Sequence, residues 1–182
     1  MTNAQFERSG GNPAGSSGFT VAVRQASVDD LDAIRRIYNE GIEDRVATLE
    51  CDAKSAEQIG AWWSEHDERY AVLVATHADE IVGWAALNAF SARCAHSNIA
   101  DLSVYVGRSS RGKGVGRTIL TKLLESAARS GFHKVVLHAL DRNEAGKALY
   151  RRCGFAEVGL FKEHGLLDGE YVDVVAMERL FR

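Results

Sequence analysis

Two hydrophobic periods alternate along the chain, and their switches outline the elements. Residues 19–24 alternate apolar and polar, the period of a short strand. Ser27 and Asp30 have capping-box spacing, and Leu31, Ile34, Ile37, Tyr38 and Ile42 then form the apolar stripe of a helix. Ser55 and Gln58 repeat the capping signature before Ile59, Trp62 and Trp63, which predicts a second helix. Residues 70–76 and 81–87 predict a hairpin around Ala78-Asp79-Glu80. Residues 99–106 predict a strand with Leu102, Val104 and Val106 on one face and Asp101, Ser103 and Tyr105 on the other. A Gly-rich turn over 107–116 leads into the clearest helix. Ile119, Leu120, Leu123, Leu124, Ala127 and Ala128 mark its face, and Gly131 sits at C′. Residues 134–140 read as a buried strand, and Asn143 caps a helix that runs to Arg152 and stops at Gly154. Strands over 155–161 and 171–177 flank a turn at Leu167-Asp168-Gly169.

The order β-α-α-β-β-β-α-β-α-β-β mixes hairpins with βαβ crossovers. It predicts an α/β (α+β) fold, a mixed and mostly antiparallel sheet with helices on both faces. The hairpins exclude a fully parallel doubly wound sheet.

Composition narrows the class. A chain of 182 residues, 46% apolar and 26% charged, suits one globular domain with a core of its own. We assign it residues 19–182. Residues 1–18, rich in Gly, Ser and Asn, lack an apolar h-region and read as a disordered tail rather than a signal peptide. The net charge of −3 gives no global basic field for nucleic acid or an anionic membrane. No apolar run approaches the ~20 residues of a membrane span. Cys51, Cys94 and Cys153 are odd in number and lack metal spacing. They point to a reducing, cytoplasmic setting with no metal, and to buried thiols packed as small apolar groups.

The most informative segment is Arg111-Gly112-Lys113-Gly114-Val115-Gly116-Arg117. It joins a strand to a strong helix. Glycines let the backbone approach a ligand, and N–H groups converge where the helix dipole favours an anion. Three basic side chains add local charge, so a pyrophosphate fits. Residues 107–113 nearly spell a nucleoside-triphosphate loop, but Gly114 stands where the magnesium-binding Ser or Thr belongs. A dinucleotide fingerprint fails at Arg117, where it needs glycine.

Arg111, Gly114 and Gly116 do fill R/Q-x-x-G-x-G/A, and the chain resembles the GCN5-related N-acetyltransferases (GNAT) from about Val21 to Leu180. Within that superfamily it is similar to the phosphinothricin, methionine sulfoximine and arsinothricin acetyltransferases. The residues that carry this are Ile37-Tyr38-Asn39 with Gly41-Ile42-Glu43, the run from Ala100 to Val106, and the run from Gly165 to Val174. The resemblance implies a sheet splayed beside Val106 and acetyl-CoA as cosubstrate. Backbone groups of Val104, Tyr105 and Val106 would line the pantetheine arm. Arg111, Gly112, Lys113, Gly114, Val115, Gly116 and Arg117 would cradle the pyrophosphate, and Asn143 would hydrogen-bond the pantetheine. The chain departs from those relatives at Leu49 and His96, where they carry aromatics, and at Asp101, Gly146 and Tyr150, where Glu, Ser and His are usual.

For the chemistry, Asp101 is the candidate base toward the acceptor ammonium and Tyr150 the candidate acid toward the thiolate, with His96 a rival base. The acceptor is expected to be a small amino acid amine, a glutamate-analogue antibiotic in the first instance. Arg45 and Arg93 are candidates for its carboxylate, since guanidinium binds carboxylate bidentately. Leu49 and His96 complete the expected acceptor site. The other readings are acetylation of a protein N-terminus, a lysine or a polyamine, and a non-catalytic CoA-binding module. Relatives of this kind imply a homodimer.

Overall fold

The computed structural model describes residues 19–181; the expected tail over 1–18 lies outside the described residues. Seven strands form one sheet in the order β1-β2-β3-β4-β5-β7-β6, with β1 at Ala22–Gln25, β2 at Val72–His77, β3 at Glu80–Ala89, β4 at Ile99–Val106, β5 at Lys134–Leu140, β6 at Ala156–Leu167 and β7 at Glu170–Leu180. Only β4 and β5 run parallel; every other pair is antiparallel. Helices α1 (Leu31–Glu43) and α2 (Ala56–Ser64) follow β1, α3 (Val115–Arg129) connects β4 to β5, and α4 (Glu144–Arg152) connects β5 to β6.

The expected mixed sheet with helices on both faces is what forms. On one face α3 buries Ile119, Leu120, Leu123 and Leu124 against Ala85, Leu87, Leu102, Val135 and Leu137. On the other face α1 packs Ile34 and Ile37 on Val72, Val74 and Trp84, with Trp62 and Trp63 of α2 alongside. Both capping boxes are present, Ser27 with Asp30 and Ser55 with Gln58. Ser27 first opens a 3-10 turn over Val28–Asp30 before α1 begins.

Several expectations need adjusting. The first strand starts at Ala22, three residues later than its alternation suggests. The last two strands are longer than predicted, because Asp168 (φ 50°) and Gly169 (φ 87°) close a two-residue turn and pairing runs outward from it. Ala128 is exposed, one position round the helix from buried Ala127. Cys51 and Cys94 are exposed in loop segments, and only Cys153 is buried, at the end of α4. No helix among the described residues is long and apolar enough to cross a membrane.

Candidate active site

The site begins where the sheet opens. β4 pairs with β3 from Ala100 opposite Ala89 to Val106 opposite Gly83. Its pairing with β5 stops after three residues, at Asp101 opposite Val136. Residues 102–106 therefore present their β5-facing edge with no strand against it, and backbone donors and acceptors there need a partner. The gap leads to the turn before α3. Gly112 (φ 74°) and Gly114 (φ 86°) take left-handed conformations that a side chain would strain, and Gly114 is the N-cap of α3. Arg111, Gly112, Lys113, Gly114 and Arg117 are all exposed, so the first N–H groups of α3 open to solvent among three cations.

Acidic side chains at the C-terminal end of α1, Glu40 and the C-cap Asp44, hold this turn. Asp44 accepts from Arg111 Nη1 at 2.5 Å and from Arg108 Nε at 2.8 Å, and Glu40 accepts from the Arg108 backbone N–H at 2.7 Å. Burial opposes ionisation of Asp44, but the hydrogen bonds from Arg108 and Arg111 outweigh it and keep its carboxyl below the ordinary range. Arg111 Nε also donates to the Val106 carbonyl at 3.0 Å, tying the turn to the strand edge.

Beside that edge lies a cavity of about 210 Å³. Asp101, Ser103 and Tyr105 face it from β4, His138 and Leu140 from β5, Tyr150 from α4, and Ala47, Thr48 and Leu49 from the loop after α1. Register explains the grouping: Asp101 sits opposite Val136, so His138, two residues on, shares its face across the gap. Burial pushes the Asp101 carboxyl up to about 6, opposed only by the Leu102 backbone N–H. Burial, then the charges of Asp101 and Cys153, push Tyr150 up to about 12, so it keeps its proton. Burial and the neighbouring His164 lower His138, which favours its neutral form. Tyr105 stacks on Trp84 with centroids 4.9 Å apart, and burial raises its hydroxyl well above 10. Gly41 admits that ring to α1: a Cβ there would lie 2.9 Å from Tyr105 Cδ1.

The cavity brings together Asp101, Tyr150, Leu49 and residues 104–105 from widely separated parts of the chain. Arg45, Arg93 and His96 are not among its lining residues. Arg45 is committed to the loop it stands in, donating to the carbonyls of Ile42, Glu50 and Cys51 and to Asp168. Arg93 is exposed at the head of the 3-10 turn Cys94–His96, where His96 Nδ1 pairs with Ser91 Oγ at 2.8 Å. Asn143 caps α4, accepting from the Gly146 N–H at 2.9 Å, and a Cβ on residue 146 would lie 2.7 Å from its Nδ2. His138 reads as an ordinary histidine in sequence. No spacing in the chain marks it; only the strand register sets it beside Asp101. Among the described residues no His, Cys, Asp and Glu cluster is arranged to hold a metal.

An unpaired strand edge, an anion-ready helix start and a half-buried carboxylate fit an acyltransferase that draws on a phosphorylated carrier. The chain belongs to the acetyltransferase (GNAT) family, whose family model matches residues 31–155. It is 30% identical over 163 residues to the phosphinothricin N-acetyltransferase of Streptomyces coelicolor, covering 87% of this chain and 95% of that one. Its fold matches a phosphinothricin acetyltransferase from Sinorhizobium meliloti in complex with acetyl-CoA (29% identity, 89% of each chain, TM-score 0.85). It also matches a ribosomal-protein-alanine N-acetyltransferase from Brucella melitensis (31% identity, 88% of this chain and 99% of that one, TM-score 0.85).

Proposed function

We propose that this acetyltransferase moves acetyl from acetyl-CoA to the α-amino group of a small amino acid, with phosphinothricin, methionine sulfoximine and arsinothricin as the first candidate acceptors. The observation that carries the reading is the unpaired 102–106 edge, which borders the cavity holding Asp101 through residues 102–105 and leads along the chain into the exposed, Gly-rich start of α3. The pyrophosphate is placed on the N–H groups of residues 112–117, with Arg111, Lys113 and Arg117 around it. The pantetheine arm runs along Val104, Tyr105 and Val106 as a surrogate strand, with Asn143 beside it. Asp101 takes a proton from the acceptor ammonium, directly or through a water. The freed nitrogen attacks the thioester carbonyl, the C–S bond breaks as the tetrahedral intermediate collapses, and Tyr150 gives the thiolate its proton. The second amine proton leaves to solvent, Asp101 releases the proton it took, Tyr150 regains one, and the products are the N-acetyl amino acid and CoA.

Leu49 contributes an apolar wall, and Arg93, whose side chain has no hydrogen bond among the described residues, is the arginine proposed for the acceptor's carboxylate. His96, on the same loop, is placed at the acceptor entrance. The likeness to the ribosomal-protein-alanine N-acetyltransferase favours a second reading, in which the acceptor is a protein N-terminus. We place the enzyme in the cytoplasm as a homodimer. Val158, Leu160, Phe161, Leu166 and Tyr171 are exposed on the terminal hairpin, an apolar surface that suits a second copy. Thiol release from acetyl-CoA across a panel of amino acids, polyamines and N-terminal peptides tests the acceptor. Turnover led by glutamate analogues supports the first reading, and turnover led by peptides supports the second.

A further inference from the structure

The loop after α1 carries Ala47, Thr48 and Leu49 into the cavity wall, so its course sets the shape of that wall. Residues 44–55 form neither helix nor strand, so side chains must hold them. Arg45 does so from a left-handed conformation (φ 56°), unusual for a residue with a side chain. Its Nη1 donates to the carbonyl of Ile42 (3.4 Å) before the loop's bend and to those of Glu50 (3.3 Å) and Cys51 (2.8 Å) after it. One guanidinium thus pins both arms of the loop. Its Nε donates to Asp168 at 3.1 Å, tying the loop to the β6–β7 turn, and Arg142 Nη2 donates to the Arg45 carbonyl. Leu49, between the pinned arms, lies so close to Gly165 of β6 that a Cβ there would collide with Leu49 Cδ2.

We propose that Arg45 is a positioning residue of the acceptor site: it folds residues 46–50 into the cavity's roof and does not itself bind the acceptor. The proposal rests on the reading of the cavity as the acceptor site. An exposed Arg–Asp pair alone contributes little, but three carbonyls gathered by one cation have no other side chain to gather them. The role differs from that of a carboxylate clamp in what its loss does. Removing a clamp weakens only acceptors that carry the carboxylate, whereas displacing the roof weakens any amine that fills the cavity.

The test measures KM for acetyl-CoA, for the best amino acid acceptor and for the same amine without its carboxylate, in the wild type, Arg45→Ala and Gly165→Ala. Gly165→Ala pushes Leu49 off the sheet while leaving Arg45 in place. The proposal expects acceptor KM to rise about tenfold to a hundredfold in Arg45→Ala, by the same factor with and without the carboxylate. It expects acetyl-CoA KM to stay near wild type and Gly165→Ala to give the same split. A loss confined to carboxylate-bearing acceptors makes Arg45 a direct ligand and overturns the proposal. So do unchanged acceptor KM values in both variants. Wild-type protein that releases no thiol with any amine fails the underlying reading, and that result is visible before any variant is made.

Discussion

Replacing Asp101 with Asn should exchange activity for stability. Its carboxyl is raised from 3.8 to about 6 by burial. At 1.36 kcal/mol per pH unit, holding it ionised in the folded protein at neutral pH costs about 3 kcal/mol. The sign follows from linkage. The folded state binds the proton more tightly than the unfolded chain, so the stabilising contribution is full below about 3.8 and is lost as pH rises through about 6. Asparagine carries no charge to bury. The variant should therefore exceed the wild type in stability at pH 7.5 by up to about 3 kcal/mol, with the gap closing toward pH 4. Its kcat should fall by roughly 10²–10⁴, the usual range for loss of a general base. Urea unfolding of both proteins at pH 4.5 and 7.5, beside initial rates at saturating substrates, reads both quantities. A variant that turns over within a few-fold of wild type removes Asp101 from the chemistry. A stability difference that does not change with pH refutes the buried-charge argument.

Other consequences are independent of that experiment. In the wild type, kcat/KM should fall as pH drops through about 6, and the acid limb should vanish in Asp101→Asn. Tyr150→Phe should lower kcat less than Asp101→Asn, because a thiolate leaves tolerably without a proton donor. Gly114→Val forces a β-branched residue to φ 86° and should abolish the thermal shift produced by CoA, which the wild type should show. Arg93→Ala should raise KM for a carboxylate-bearing acceptor about tenfold or more and leave KM for acetyl-CoA unchanged, as steady-state kinetics will read. Phe161→Lys, on the exposed hairpin, should shift the sedimentation coefficient from dimer to monomer.

Much of the fold was legible because its signals are local. The period-2 run of Ile99–Val106, the two capping boxes and the stripe of α3 each follow from a few adjacent residues, and all three stand where the sequence placed them apart from Ala128 at the edge of the stripe. The ends of β6 and β7 were not legible, since a ladder extends as far as its partner does and the partner lies across the turn. The Gly-rich turn was readable from its glycines and its place between strand and helix. The cavity beside Asp101 was not, because it is assembled by register. Only the Asp101–Val136 pairing sets His138 on the same face, and no spacing in the chain reports it. Arg45 illustrates the same limit: a cation beside a presumed pocket suggests a ligand, while its hydrogen bonds, one of them to Asp168 from 123 residues away, commit it to the loop.

The most direct test of acetyl transfer to a small amino acid is the identity of the product. Purified protein incubated with acetyl-CoA and phosphinothricin should yield phosphinothricin bearing one acetyl group on its α-nitrogen, by mass spectrometry and NMR, with one CoA released per acetyl transferred. Recovery of unmodified phosphinothricin, methionine sulfoximine and arsinothricin from parallel incubations in which a peptide N-terminus is acetylated would contradict the account.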